Sequence, residues 1–306
     1  MKKNILILGG FGFIGSNLIE DFLKNGNFNV IVFEFRGLIN RFANQIKVYY
    51  GDFNKEEDIE IVFQENQIDI VIHLISTTVP ATSNDNVSYD INSNLIGTIK
   101  LLNIMLKYGV KRIIFPSSGG TVYGQIAGDS AKENDPTNPI SSHGITKLSI
   151  EKYLLLYQHL HGLEYLILRV SNPFGMYHSS QKQGFINVVL KKIIKNEKIV
   201  VWGDGSAVRD YMYIKDLTFI LTKIIENDIK NQIINIGSGV GVSIKEILNL
   251  LQNIVPNIEI VYESARNFDI PKIVLNVDKL KSMLDFSLTD LEKAIFLTYN
   301  WHKKKE

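Results

Sequence analysis

Cysteine is absent from the 306 residues, which excludes disulfide staples, thiol nucleophiles and thiolate metal sites and fits a reducing compartment, so the cytoplasm is the expected location. Net charge is nearly absent as well. Lys+Arg 33 against Asp+Glu 32 leave +1, so nothing draws the chain toward nucleic acid or an anionic membrane. No apolar run approaches the ~18 residues that a membrane span needs. The short run after Lys2 and Lys3 is broken by glycine too early to act as a secretion signal. There is no internal repeat and no low-complexity tract. What remains is 45% hydrophobic and 21% charged, an ordinary globular composition with length for one large or two modest domains.

The organising stretch runs from Met1 to Glu34. Asn4 to Leu8 is a short apolar run of the kind that forms a buried parallel strand. Gly9-Gly10-Phe11-Gly12-Phe13-Ile14-Gly15 follows, and Leu18, Ile19, Phe22 and Leu23 then recur at helical spacing over 16–25. In that order Gly9 allows the tight turn, Gly12 lets backbone approach a phosphate, and Gly15 lets helix pack closely on strand. The helix start turns free N–H groups and a positive dipole end toward a pyrophosphate. Glu34 stands at the tip of the second strand, about 20 residues on, where a carboxylate accepts ribose hydroxyls and repels a 2′-phosphate. The cofactor expected is therefore NAD over NADP, with Arg36 the one nearby counter-indication.

Further along, strands are expected over 46–50, 68–75, 111–115 and 163–170, with helices over 58–64 and 89–108. His73, inside an apolar strand, reads as a hydrogen-bonded core residue and not a metal ligand, and no metal site is expected. Asp52 with Phe53 could serve the adenine, or could form a turn and helix cap; spacing leaves both open. The alternation of strands and helices implies an α/β fold, a doubly wound parallel sheet. From about Asn172 the texture changes, which suggests a Rossmann domain over 1–171 and a smaller α+β substrate domain over 172–306, partly interleaved with it. The apolar faces of the helices over 89–108 and 145–160 could meet in a two-fold contact, so a homodimer is expected.

These residues resemble the extended short-chain dehydrogenase/reductase family, most closely its NAD-dependent nucleotide-sugar epimerase/dehydratase branch. The resemblance spans nearly the whole chain. It rests on GGFGFIG, Glu34, Gly51-Asp52, Asn94-Leu95-Ile96-Gly97-Thr98, SSGGTVYG, a Tyr-x-x-x-Lys element represented only by Lys147, and LRVSNPFG at Leu168 to Gly175. WGDG with Arg209-Asp210-Tyr211, Asn235-Ile236-Gly237-Ser238-Gly239 and a segment from Ala265 to Pro271 complete it. It implies cofactor contacts from the glycine turn with Phe13 and Ile14, and from Leu74, Ile75, Ser76, Asn94 and Lys147. It further implies a UDP-sugar held by Ser118, Asn172, Arg209, Arg266 and Asp269, and 4-epimerisation of a UDP-hexose or UDP-N-acetylhexosamine.

Two departures stand out. The catalytic tyrosine position holds His143, and the usual catalytic Ser or Thr position holds Gly119. A neutral imidazole beside Lys147 is a competent base near pH 7, although its nitrogen lies nearer the backbone than a tyrosine hydroxyl. The candidate proton-transfer set is His143, Lys147 and Thr121. A 4,6-dehydratase or 4-ketoreductase, an enzyme altered to slow turnover, and a non-catalytic NAD and sugar-nucleotide binder are the competing readings.

Overall fold

The computed structural model describes every residue except Met1, Ala43, Ala81, Lys182, Asn257, 265–269 and Glu306. The chain begins with β1 (Lys3–Leu8), α1 (Phe13–Asn25), β2 (Phe28–Glu34), β3 (Lys47–Tyr50), α2 (Glu56–Glu65) and β4 (Ile70–His73). Then come α3 (Val87–Asp90), a π-helical turn (Ile91–Ile96), α4 (Gly97–Lys107), β5 (Arg112–Ser118), α5 (Ser142–His161), β6 (Glu164–Val170) and β7 (Asn172–Phe174). The remainder is α6 (Phe185–Ile194), β8 (Ile199–Trp202), β9 (Val208–Tyr213), α7 (Ile214–Glu226), β10 (Gln232–Ile236), β11 (Gly241–Ser243), α8 (Ile244–Ile254), β12 (Ile260–Glu263), β13 (Lys272–Ile273), α9 (Asp278–Met283) and α10 (Leu291–Lys303).

Seven strands form one sheet in the order β10-β6-β5-β4-β1-β2-β3, and all its pairs are parallel. Side chains alternate across it. Ile5, Ile7, Val32, Ile72 and Ile114 pack on one face with α1 and α7, while Leu6, Leu8, Phe33, Val71 and Ile113 pack on the other with α2, α4 and α5. Both faces are covered, which is why the strands are apolar at consecutive positions and not at alternate ones. Beyond residue 172, β11, β9, β13 and β7 make a four-stranded sheet and β12 pairs with β8, but β10 returns to the large sheet as its edge.

The long helix expected over 89–108 is interrupted. At Ile91–Ile96 it widens into a π turn, where Ser93 donates to the Tyr89 carbonyl and Asn94 to the Asp90 carbonyl. Side chains that bond backward to the backbone compete with the regular ladder, a tertiary effect invisible to apolar spacing. The strand expected over 111–115 runs on through Pro116 to Ser118. His73 is a buried core histidine, its Nε2 2.9 Å from Thr98 Oγ1. Among the described residues no helix is long and apolar enough to cross a membrane.

Candidate active site

In this strand order the connections reverse direction between β1 and β4, and a crevice opens beyond their C-terminal ends, where open α/β sheets bind ligands. A cavity of about 650 Å³ fills that place. Gly9, Gly12, Phe13, Ile14 and Gly15 form one wall, Leu74 and Ser76 leave β4, Ser118 and Thr121 leave β5, and Asn172 and Arg209 come from the far side.

The glycine wall is backbone. A Cβ on Gly15 would lie 2.5 Å from the Gly10 carbonyl oxygen, so helix and turn meet at a distance that admits only hydrogen there. α1 has no side-chain cap and no acidic residue in its first turn. Its first N–H groups precede any helical carbonyl that could accept them, which leaves the positive end of the helix open to an anion. Glu34 lies against this turn. Its carboxylate accepts from Phe11 N–H at 2.8 Å and Phe35 N–H at 2.9 Å. Burial raises its carboxyl above the usual range, and those two bonds oppose the rise.

Asp52 and Phe53 lie outside the cavity lining. The Asp52 carboxylate accepts from Asn54 N–H at 2.9 Å, the turn reading of that pair. The Phe53 ring is buried beside His73, 5.1 Å between centroids. Ile75 and Asn94 are also behind the wall; Asn94 Oδ1 accepts from Thr77 N–H at 2.9 Å and so holds the strand exit.

The opposite wall is built from side chains. α5 starts at its cap, Ser141, whose hydroxyl accepts from Gly144 N–H, and its first turns carry His143 and Lys147. His143 is 8% exposed and is not among the residues that line the cavity, whereas Ser141, two residues before it, is. Burial lowers its imidazole to about 4; the Lys147 charge adds to this, while Asp90 and a backbone hydrogen bond with Thr78 oppose it. Lys147 Nζ donates to the Pro116 carbonyl at 3.0 Å and lies 4.5 Å from the Phe115 ring centroid. Burial lowers its ammonium to about 8 against the pull of Asp90 and Glu151.

Asp90 carried no signal in the sequence, yet it fixes this turn. Fully buried, it accepts from Ser142 Oγ at 2.7 Å and Thr146 Oγ1 at 2.8 Å on α5, from Asn94 Nδ2 at 2.9 Å, and from Thr78 Oγ1. Burial by itself would raise its carboxyl; the hydrogen bonds prevail and hold it below the usual range. Gly119 is tightly surrounded: a Cβ would lie 2.6 Å from Leu275 Cδ1, the movable end of a side chain, and 3.0 Å from the Arg169 carbonyl oxygen. Asn172 Nδ2 donates to the Asp210 carbonyl at 3.0 Å, and Arg209 Nη1 to the Val208 carbonyl at 2.9 Å. Arg266 and Asp269 lie outside the described residues.

Among the described residues six buried side-chain polar atoms lack a hydrogen-bond partner, and three of them, Thr121 Oγ1, Ser171 Oγ and His178 Nδ1, belong to residues lining this cavity. Buried polar groups are seldom left unsatisfied, and these three gather around one cavity.

Comparison with known proteins agrees. The signature of the NAD dependent epimerase/dehydratase family matches residues 5–237, and the chain belongs to that family, whose cofactor is NAD. It is 28% identical over 321 residues to the UDP-glucose 4-epimerase of Halalkalibacterium halodurans, covering 98% of this chain and 96% of that one. Among solved structures, the UDP-glucose 4-epimerase of Thermotoga maritima with UDP-glucose is 31% identical, covers 99% of both chains and superposes with a TM-score of 0.92. The Thermus thermophilus UDP-glucose 4-epimerase in complex with NAD is 26% identical over 97% of this chain and 98% of that one, with a TM-score of 0.90.

Proposed function

We propose that this protein is an NAD-dependent 4-epimerase of a UDP-hexose or UDP-N-acetylhexosamine, with His143 as its proton-transfer group. The observation that carries the reading is a neutral, buried imidazole at the start of α5, one turn before Lys147 and two residues after Ser141, which lines the cavity opposite the glycine turn. The uncapped start of α1, the Gly15 contact and the partnerless polar atoms fit a dinucleotide. The turn with Phe13 and Ile14 holds the pyrophosphate, Glu34 fixes the turn and faces the adenosine ribose, and Leu74 and Ser76 border the redox ring. When bound, NAD supplies the acceptor and donor of hydride.

The chain's own residues manage the proton. Thr78 engages one ring nitrogen of His143, and the other is left as a base. Because that nitrogen falls short of the place a tyrosine hydroxyl would reach, the partnerless Thr121 Oγ1 bridges the gap to the sugar 4-hydroxyl, passing its proton inward and returning it later. Lys147 keeps positive charge beneath the site. Asn172 and Arg209, with Arg266 and Asp269, hold the nucleotide diphosphate, and Ser118 faces the sugar.

Product chromatography after incubation with UDP-glucose and UDP-GlcNAc tests this. His143→Phe should lower turnover about 10²- to 10⁴-fold, the usual weight of general acid–base catalysis, while NAD remains bound. A parent protein as inert as that variant, yet still binding NAD and UDP-sugar, would leave a binding protein and no epimerase.

The partner we propose is a second copy of the chain. Val87, Tyr89 and Ile91 on one helical stretch, and Ile145, Leu156 and Leu160 on α5, are large apolar residues left exposed, on the two helices that pack side by side. Light scattering of Leu156→Glu should report a monomer if that face is the contact.

A further inference from the structure

Among the described residues, His178 and Ser171 are the partnerless lining residues to which the proposed reaction gives no role, and His178 is the one with a ring held in place. It is 7% exposed, lines the cavity, and its Nδ1 has no hydrogen-bond partner. Two features fix the ring. Its edge meets the Phe13 ring at 4.9 Å between centroids, at 81°. On the other side it fills the space next to Gly184, where a Cβ would lie 2.7 Å from Nε2; the positive φ of +81° there likewise suits glycine. The segment that carries it is tied down, because Asn17 Nδ2 on α1 donates to the Met176 carbonyl at 2.8 Å and Asn187 on α6 bonds both backbone groups of Gly175. His178 thus spans the gap between the first residue of α1 and the start of α6.

The surroundings select the ligand's charge. The open positive end of α1 begins at Phe13, Arg209 lines the same cavity, and Lys191 acts on the imidazole from α6. A neutral ring donating Nδ1–H into positive surroundings suits an anionic oxygen better than a sugar hydroxyl. Resting on the nucleotide-sugar reading above, we propose that His178 Nδ1–H donates to a diphosphate oxygen bound in this cavity, so that His178 is a ligand-binding residue and more than a spacer between α1 and α6.

Either of two diphosphates could be the acceptor, that of the dinucleotide or that of the sugar nucleotide, and titrations of the full-length protein with NAD and with UDP separate them. His178→Phe keeps a ring but has no donor, whereas His178→Asn places an amide near the Nδ1 position. Expected is about a ten- to hundredfold loss of affinity in His178→Phe for one of the two ligands, as for a lost hydrogen bond to a charged group. Affinity in His178→Asn should stay within about threefold of the parent. Adenosine and uridine, which lack phosphate, and the melting temperature of the unliganded protein control for folding; they should move little in either variant. The inference is overturned if His178→Phe binds NAD and UDP like the parent, or if both variants lose phosphate-bearing and phosphate-free ligands alike. A parent that binds neither NAD nor UDP removes the proposed function and this inference together, whereas a parent that binds them and a His178→Phe that binds equally well removes the inference alone.

Discussion

The two walls of the cavity are made differently. One, from Gly9 to Gly15 with Glu34 behind it, is backbone: its groups are peptide N–H, and its side chains serve to keep the peptide in place. The other runs from Ser118 to Thr121 and to Ser141, the cap of α5, and the first turns of α5 are held in place by a buried carboxylate. A backbone wall is specified by what cannot be added to it, so it stays close to its family pattern. A side-chain wall can exchange one proton carrier for another when the supporting shell is kept, and His143 is the carrier proposed here.

Acid should strike the side-chain wall first. His143 and His178 beside the cavity, with His302 under α6, are held to about 4, and His73 to about 3. Below the ordinary value of 6.5 the unfolded chain takes up protons that the folded chain refuses. Stability therefore falls as pH drops from about 6.5 toward 4, by up to about 1.4 kcal/mol per pH unit for each histidine. The melting temperature should be roughly 10 °C lower at pH 5 than at pH 7; equal values would mean that these rings are hydrated and not buried.

Gly15→Ala attacks the other wall. With a backbone carbonyl in the way, the expected cost is about 1–3 kcal/mol in urea unfolding, together with loss of NAD affinity. An alanine variant of parental stability and affinity would show that helix and turn leave room for a methyl group. Gly119→Ser asks whether the missing hydroxyl can simply be put back. Its obstacle is the end of the Leu275 side chain on one side and the Arg169 carbonyl on the other, so a loss of about 1–2 kcal/mol is expected. Any gain in turnover would mark this position as available for catalysis.

Glu34→Gln is the smallest change. One carboxylate oxygen becomes an amide that faces an N–H donor, at a cost of about 1 kcal/mol. The native Glu34 carboxyl is raised, so it binds its proton more readily folded than unfolded, and its contribution to stability declines as pH rises from 4.5 through that raised value. The variant should lack this slope, which runs opposite to that of the histidines. An unchanged slope in pH-dependent melting would mean that Glu34 does not titrate as its burial implies.

Much of this was legible in the chain before any coordinates. Strands such as β1, apolar at four consecutive positions from Ile5 to Leu8, demand cover on both faces, and the order of strand, glycine turn, helix and acidic tip placed the cofactor wall. The π turn at Ile91–Ile96 was not legible, nor was Asp90, because a lone aspartate on a helix has no periodic signature. Its role arises only when Thr78, Ser142 and Thr146, far apart along the chain, converge on one carboxylate.

Sequence alone determined the sheet and the glycine turn, since these depend on local conformation and on apolar patterning. Tertiary structure decided that the Phe53 ring packs beside His73, that Leu275 occupies the space beside Gly119, and that His178 lies between α1 and α6. Those outcomes depend on which distant side chains exclude water from a common space, and no stretch of the chain read by itself contains that information.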